Sequence, residues 1–164
     1  MSQSGVEQLI YLLDQAFDGS PEHSLVGNVR GLTVDDWLWR PPDGKRSILA
    51  IFGHAGSAKY LYESHTFGDG SIGWTHPTLN PVPPGATFSP ELMIEWAREA
   101  HLRFRQSVAR LTDVDLSADR YAAIWDQPGE TRWFIAQVIE HDLYHAGEIN
   151  HLRALRQKND DWPR

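Results

Sequence analysis

Two histidines near the end of the chain have the spacing of a metal-binding pair. His141 and His145 lie four residues apart in the segment EHDLYHAGEINHL. On a helix this spacing places both imidazoles on one face, about 40° apart, because each residue turns the helix by about 100°. Two imidazoles on one face supply half of a four-ligand transition-metal site. The pair therefore predicts a metal centre, with histidines satisfied by hydrogen bonds in the core as the alternative.

A third histidine, His54, falls on a second predicted helix and shares an apolar-looking stripe with Ile51, Ala58 and Leu61. The stripe that carries the pair is also apolar; it contains Phe134, Val138, Ile149, Leu152 and Leu155. Polar side chains that point at a core need partners, and a metal satisfies several imidazoles at once. Three neutral imidazoles with an open position resemble a catalytic site more than a closed structural one. The expected cofactor is a divalent transition metal, zinc or nickel first, with iron or manganese as further candidates.

Two side chains beside the pair are candidate catalytic groups. Glu148 lies seven residues after His141, on nearly the same helix face, where it would orient a ligand or act on bound water; a surface ion pair is the alternative. Tyr144 is expected to donate a hydrogen bond near the site, with a packing role as the alternative. Asp142 is expected to face another helix or solvent rather than the metal.

A different set of histidines matches the zinc-ligand spacing of metzincin proteases. His141, His145 and His151 fit H-E-x-x-H-x-x-G-x-x-H, but Asp142 replaces the general-base glutamate and Gly147 comes one place early. The helical stripe continues beyond Gly147. A continuous helix would separate the outer histidines by about 15 Å along its axis, so the protease is only a minor alternative.

The bulk composition indicates one ordinary globular domain over residues 1–164. The hydrophobic fraction is 41% and the charged fraction 23%. The net charge of −7, without a Lys/Arg-rich run, argues against nucleic-acid binding. The absence of Cys excludes disulfides, thiolate ligands and a cysteine nucleophile. No signal peptide and no membrane-spanning run are predicted, so a cytoplasmic protein is expected.

Hydrophobic periodicity and capping signals predict four long amphipathic helices. They cover about residues 6–17, 48–67, 90–111 and 132–157, with Ser47, Ser89 and Thr131 as N-caps of the last three. Four such helices in one domain argue for an all-α four-helix bundle, a fold whose core commonly holds metal sites.

The segments between these helices are predicted to be connectors. Residues 21–29 suggest a further short helix, and Thr33 caps a single turn in the next segment. Residues 68–88 are rich in Gly and Pro. They predict either a lid, in which Trp74 and His76 would cover a site, or a solvent-exposed loop. In residues 112–130, a short strand is expected at 120–125 and a turn at 127–129.

Two segments of the chain resemble the DinB-like family. DWLWRPPDGKRSILAIFGHAGSAKYLY is similar to the second-helix region of that family, and IAQVIEHDLYHAGEINHLRAL to its last-helix motif. The resemblance implies an up-down-down-up four-helix bundle, usually dimeric, with a divalent metal on His54, His141 and His145. It implies close packing at Gly147, and it puts Glu148 where many members have Gln.

The resemblance also narrows the expected function. Members of the family include thiol-dependent S-transferases and isomerases, and proteins described as metal-dependent hydrolases. We therefore expect a metal-dependent enzyme that acts on a small molecule, by hydrolysis or by transfer of a low-molecular-weight thiol. The alternative is a non-enzymatic metal-binding or stress-response bundle. Trp37, Trp39 and Trp162 are candidates for a homodimer contact or for packing under the connectors.

Overall fold

The structure is a computed structural model that describes residues 4–82, 85–159 and 161. These residues form a predominantly helical protein, which confirms the all-α class. The α-helices of the described ranges are α1 Ser4–Asp18, α2 Val34–Leu38, α3 Ile48–Thr66, α4 Pro90–Ala109 and α5 Thr131–Gln157. Two short strands, β1 Asp119–Ala122 and β2 Gln127–Glu130, form an antiparallel pair.

Three helices begin where their sequences predict. The side chains of Thr33, Ser47 and Ser89 each accept a hydrogen bond from the backbone N–H three residues later, which satisfies a donor that the first helical turn leaves unpaired. In α2 the carboxylate of Asp36 also accepts from the Thr33 backbone N–H, and this completes a capping box. These caps set the positions of α3 and α4 along the chain.

The start of α5 is built differently from the prediction. Thr131 is the first helical residue rather than the N-cap; its hydroxyl donates to the Ala118 carbonyl and accepts from Arg120. The predicted turn at residues 127–129 is wrong, because this segment is β2. The chain instead reverses at residues 123–126, where Asp126 adopts a left-handed conformation with φ of 51°. The strand predicted at 120–125 is present over its first half.

The remaining connectors are more compact than their sequences suggest. Residues 21–29 form turns and a short 3₁₀ helix at Gly27–Val29 in place of an α-helix. Trp37 is fully buried, so it does not supply an exposed dimer contact, and Trp39 is partly buried. Trp162 lies outside the described residues.

The four long helices pack in pairs around a shared core. Helix α1 contacts α4 and α5, and α3 contacts the same two helices. One apolar cluster surrounds Trp37, Phe52 and Ile149, and a second surrounds Leu13 and Phe104. Within the described ranges, no helix combines the length and apolar character needed to cross a membrane.

The described residues of the 68–88 segment pack against α3 and α4. The indole N–H of Trp96 donates to the Thr78 carbonyl at 2.8 Å, and Ile72 is buried. Trp74 is exposed, and its described ring contact is with Trp125. His76 accepts from the Thr78 backbone N–H, so its described contact is within its own segment. These contacts do not place either side chain over the three histidines, and the lid stays a prediction.

Candidate metal centre

The three predicted ligand histidines come together from two helices. Helix α3 supplies His54, and α5 supplies His141 and His145. The Nε2 atom of His141 lies 3.1 Å from the Nε2 atoms of both His54 and His145. One nitrogen of each ring lies within 4.8 Å of the others. Tetrahedral zinc with Zn–N bonds of about 2.05 Å spaces its nitrogens by about 3.3 Å, so this group could bind a metal ion.

The group lies at the boundary between core and solvent. His145 is buried, His141 is half-buried and His54 is exposed. The expectation that His54 points at the core is therefore wrong, although its neighbours Ile51 and Leu61 are buried. Since α3 turns His54 outwards, solvent reaches the site from this side.

The pKa values of all three imidazoles are lowered from the ordinary 6.5, so the rings are neutral at physiological pH. Burial lowers the pKa of His141 to about 3, and the neighbouring His145, His54 and Lys59 act in the same direction. Desolvation by the surrounding chain lowers the pKa values of His54 and His145 as well; Glu148 opposes the decrease in both, and Arg46 adds to it. A neutral imidazole is the form that ligates a metal, so the ring nitrogens are prepared for one.

Glu148 determines which nitrogen of His145 is free. Its Oε2 lies 2.6 Å from His145 Nδ1, and its Oε1 accepts from the guanidinium of Arg46. Because a carboxylate only accepts, Nδ1 carries the proton and donates it, which leaves the Nε2 lone pair directed at the other histidines. Glu148 thus makes the contact expected of an orienting group and also the ion pair named as its alternative, and its role stays a prediction.

The other candidate, Tyr144, lies beside the histidines and not among them. Its side chain is exposed, and its ring centroid is 5.0 Å from that of His145. Its side chain is therefore accessible from solvent.

Asp142 faces another helix, which was one of its two predicted positions. It is fully buried and forms an ion pair with Lys59 of α3, whose ammonium group is also buried. Sequence reasoning did not identify Lys59 as its partner. The available signal was a lysine within the apolar stretch of α3 and an acid on the inward side of α5.

Among the described residues, no further histidine belongs to this group. His101 is buried between Asp14 and the ring of Phe17. His65 contacts the Ile72 carbonyl near the end of α3. His151 is exposed, and α5 continues as a helix to Gln157, so it lies about 15 Å from His141 along the axis.

Gly147 does not show the close packing that the resemblance implied. A Cβ added there would meet no heavy atom of the described chain within 4 Å. The outer face of α5 is open at this position.

The class that the fold and the site define is a predominantly helical protein whose three-histidine group, on two facing helices, could bind a metal ion. The sequence model of the DinB superfamily matches residues 21–149, a range that includes all three histidines. This chain belongs to the DinB superfamily. A comparison with individual curated proteins gave no match.

Proposed function

We propose that the protein is a metal-dependent enzyme in which His54, His141 and His145 hold one divalent transition metal ion. Zinc or nickel is expected first, with iron or manganese as alternatives. The observation that carries the proposal is the convergence of three Nε2 atoms, two of them 3.1 Å from that of His141. The exposure of His54 supports an accessible site over a closed structural one.

The proposed reaction is hydrolysis, or transfer of a low-molecular-weight thiol, on a small molecule. A metal bound to the histidines would supply Lewis acidity and lower the pKa of a bound water or thiol. Glu148 holds His145 in the tautomer that leaves Nε2 free. Tyr144 would donate a hydrogen bond to the substrate, and its exposure beside His145 supports this role.

The up-down-down-up bundle, the single domain over residues 1–164, the homodimer and the cytoplasmic location remain predictions. The bundle is supported by the packing of α1 and α3 against both α4 and α5.

The experiment that tests the proposal is elemental analysis of protein purified without a His tag. The wild type should contain about one equivalent of a transition metal. His54→Ala and His145→Ala should each lose it, because each removes one of three ligands, while far-UV circular dichroism shows retained helicity. His151→Ala, which removes an exposed histidine of the same helix, is the matched control and should keep the metal.

The outcomes separate the candidate functions. Metal lost only in the ligand variants would justify a screen for hydrolase and thiol-transfer activities. A wild type that binds no metal after supplementation with zinc, nickel, manganese and iron would reject the proposal and leave a non-enzymatic helical bundle. Loss of metal in His151→Ala would reject this choice of ligands.

A further inference from the structure

A small cavity lies next to the histidine group, between α5 and the turn that precedes α3. Its volume is about 200 Å³. Pro41, Ile51 and Leu152 form apolar walls, and Arg46, Glu148 and His151 supply polar groups. Pockets for drug-sized ligands have volumes of about 300–1,000 Å³, so this cavity fits a smaller group.

Glu148 connects this cavity to the three histidines. One of its oxygens accepts from His145 Nδ1, and the other accepts from the Arg46 guanidinium. The Arg46 side chain is 50% exposed, so it is accessible from solvent as well as from the cavity. A guanidinium has five N–H donors in a planar fork, and the bond to Glu148 leaves others available for an anion.

A metal ion on the histidines would make the surroundings of the cavity positive, although the whole chain carries −7. The formal charges of Arg46 and Glu148 cancel, and an imidazole that ligates a metal is neutral. A divalent ion on the histidines would therefore leave a local charge of about +2. A positive site on an acidic protein attracts anionic ligands to this position and not to the surrounding surface.

We propose that this cavity binds a part of the substrate in which an anionic oxygen group, a carboxylate or a phosphate, is attached to a short apolar body. Arg46 binds the anionic group, and the walls at Pro41, Ile51 and Leu152 contact the apolar body. This inference rests on the proposed function, because the substrate must also reach the metal. In this proposal, Arg46 is the residue that selects acidic substrates over neutral ones.

The test is isothermal titration calorimetry on zinc-loaded protein, after its zinc stoichiometry has been measured. The probes are butyrate, butyl phosphate and the neutral analogue butyramide. The wild type should bind at least one of the two anions ten or more times more tightly than it binds butyramide. Arg46→Met should lose this preference and keep its zinc, because Arg46 is not a ligand.

Arg132→Met is the matched control. Arg132 is also paired with a glutamate, is 60% exposed and lies sixteen residues before Glu148 on α5, about 24 Å along the axis. The Arg132→Met substitution removes the same charge from the molecule, but the preference for the anion over butyramide should persist. Arg46→Lys keeps the charge and should retain part of the preference for the anion.

Each outcome bears on the proposal. The better of the two anions identifies the class of anionic group. An equal preference in wild type and Arg46→Met would overturn the inference, since the anion would then bind the zinc without Arg46. A wild type without zinc would instead reject the proposed function, and the stoichiometry distinguishes this failure from the first.

Discussion

The two ring nitrogens of His145 have separate roles. Nδ1 donates to Glu148, and Nε2 faces the histidine group. A carboxylate partner fixes both the ring orientation and the tautomer, and it makes the opposite nitrogen a better ligand. The exposed His54 has no carboxylate partner among the described residues. Its described hydrogen-bond contact is with His141. If the histidines hold a metal, Glu148 is the described side chain that orients one of its ligands.

At this scale we expect Glu148→Gln to weaken metal binding. The amide can still accept from Nδ1 but carries no charge, and loss of such partners lowers metal affinity by about 10–100-fold. Competition against a zinc chelator measures the affinity. Glu140→Gln, an exposed change on the same helix, is the control and should bind zinc as the wild type does. An unchanged affinity in Glu148→Gln would show that the contact does not tune the ligand.

At the scale of the helices, a buried ion pair joins α3 to α5, and its acid, Asp142, follows His141 directly in the chain. Lys59 and Asp142 are each 1% exposed. Burial raises the pKa of Asp142, and the ammonium group of Lys59 opposes this rise. The pair brings the helix of His54 into register with the helix of His141 and His145.

Removing one partner of this pair should destabilise the fold strongly. We expect Lys59→Met to lower the free energy of unfolding by about 3–5 kcal/mol, because Asp142 would remain buried without its partner. Urea denaturation measures the change. The double variant Lys59→Met/Asp142→Leu should recover part of the loss, since it leaves no buried charge. A double variant less stable than Lys59→Met would contradict this account.

Close approach of α3 and α4 depends on one glycine. A Cβ on Gly56 would lie 2.3 Å from the Trp96 ring. We expect Gly56→Ala to destabilise by about 1–3 kcal/mol, because the indole, which also donates to Thr78, must move. Thermal unfolding measures the effect.

Gly53→Ala on the same helix is the control for this prediction. The nearest heavy atom to its added Cβ is that of Met93 at 3.7 Å, an ordinary contact. The substitution should be neutral, or stabilising by about 0.5–1 kcal/mol through better helix propensity. Equal losses in both variants would show that the approach of the indole is not the cause.

At the scale of the molecule, a second buried histidine makes stability depend on pH. His101 packs on Phe17, and the charged groups around it are Asp14 of α1, Lys59 of α3 and Arg105 of α4. Burial, assisted by Lys59 and opposed by Asp14, lowers the pKa of His101 from 6.5 to about 4. The unfolded chain then binds this proton more readily, so stability falls as the pH decreases from 6.5 towards 4.

We expect the wild type to lose about 3 kcal/mol more than His101→Gln between pH 7 and pH 4, at 1.36 kcal/mol per unit of pKa. Urea denaturation at a series of pH values measures both proteins. His23→Gln, which changes an exposed histidine in a turn, should follow the wild type. Parallel curves for wild type and His101→Gln would contradict the prediction.

The sequence by itself determined the elements that depend on nearby residues. Ser47 and Ser89 cap their helices because a hydroxyl reaches an N–H three residues on, and His141 and His145 share a face because a helix has 3.6 residues per turn. The same reasoning wrongly predicted Thr131 as an N-cap. Its hydroxyl donates to the Ala118 carbonyl, a partner that the local sequence does not reveal.

Only the tertiary structure decided how distant residues meet. His54 lies 87 positions from His141, and the packing of α3 on α5 brings their nitrogens to 3.1 Å while leaving His54 exposed. Periodicity predicts a helix face but not how fully a neighbouring helix covers it. The same packing pairs Arg46 with Glu148 across 102 positions. Long-range pairs of this kind arise from the arrangement of the helices, which no local pattern encodes.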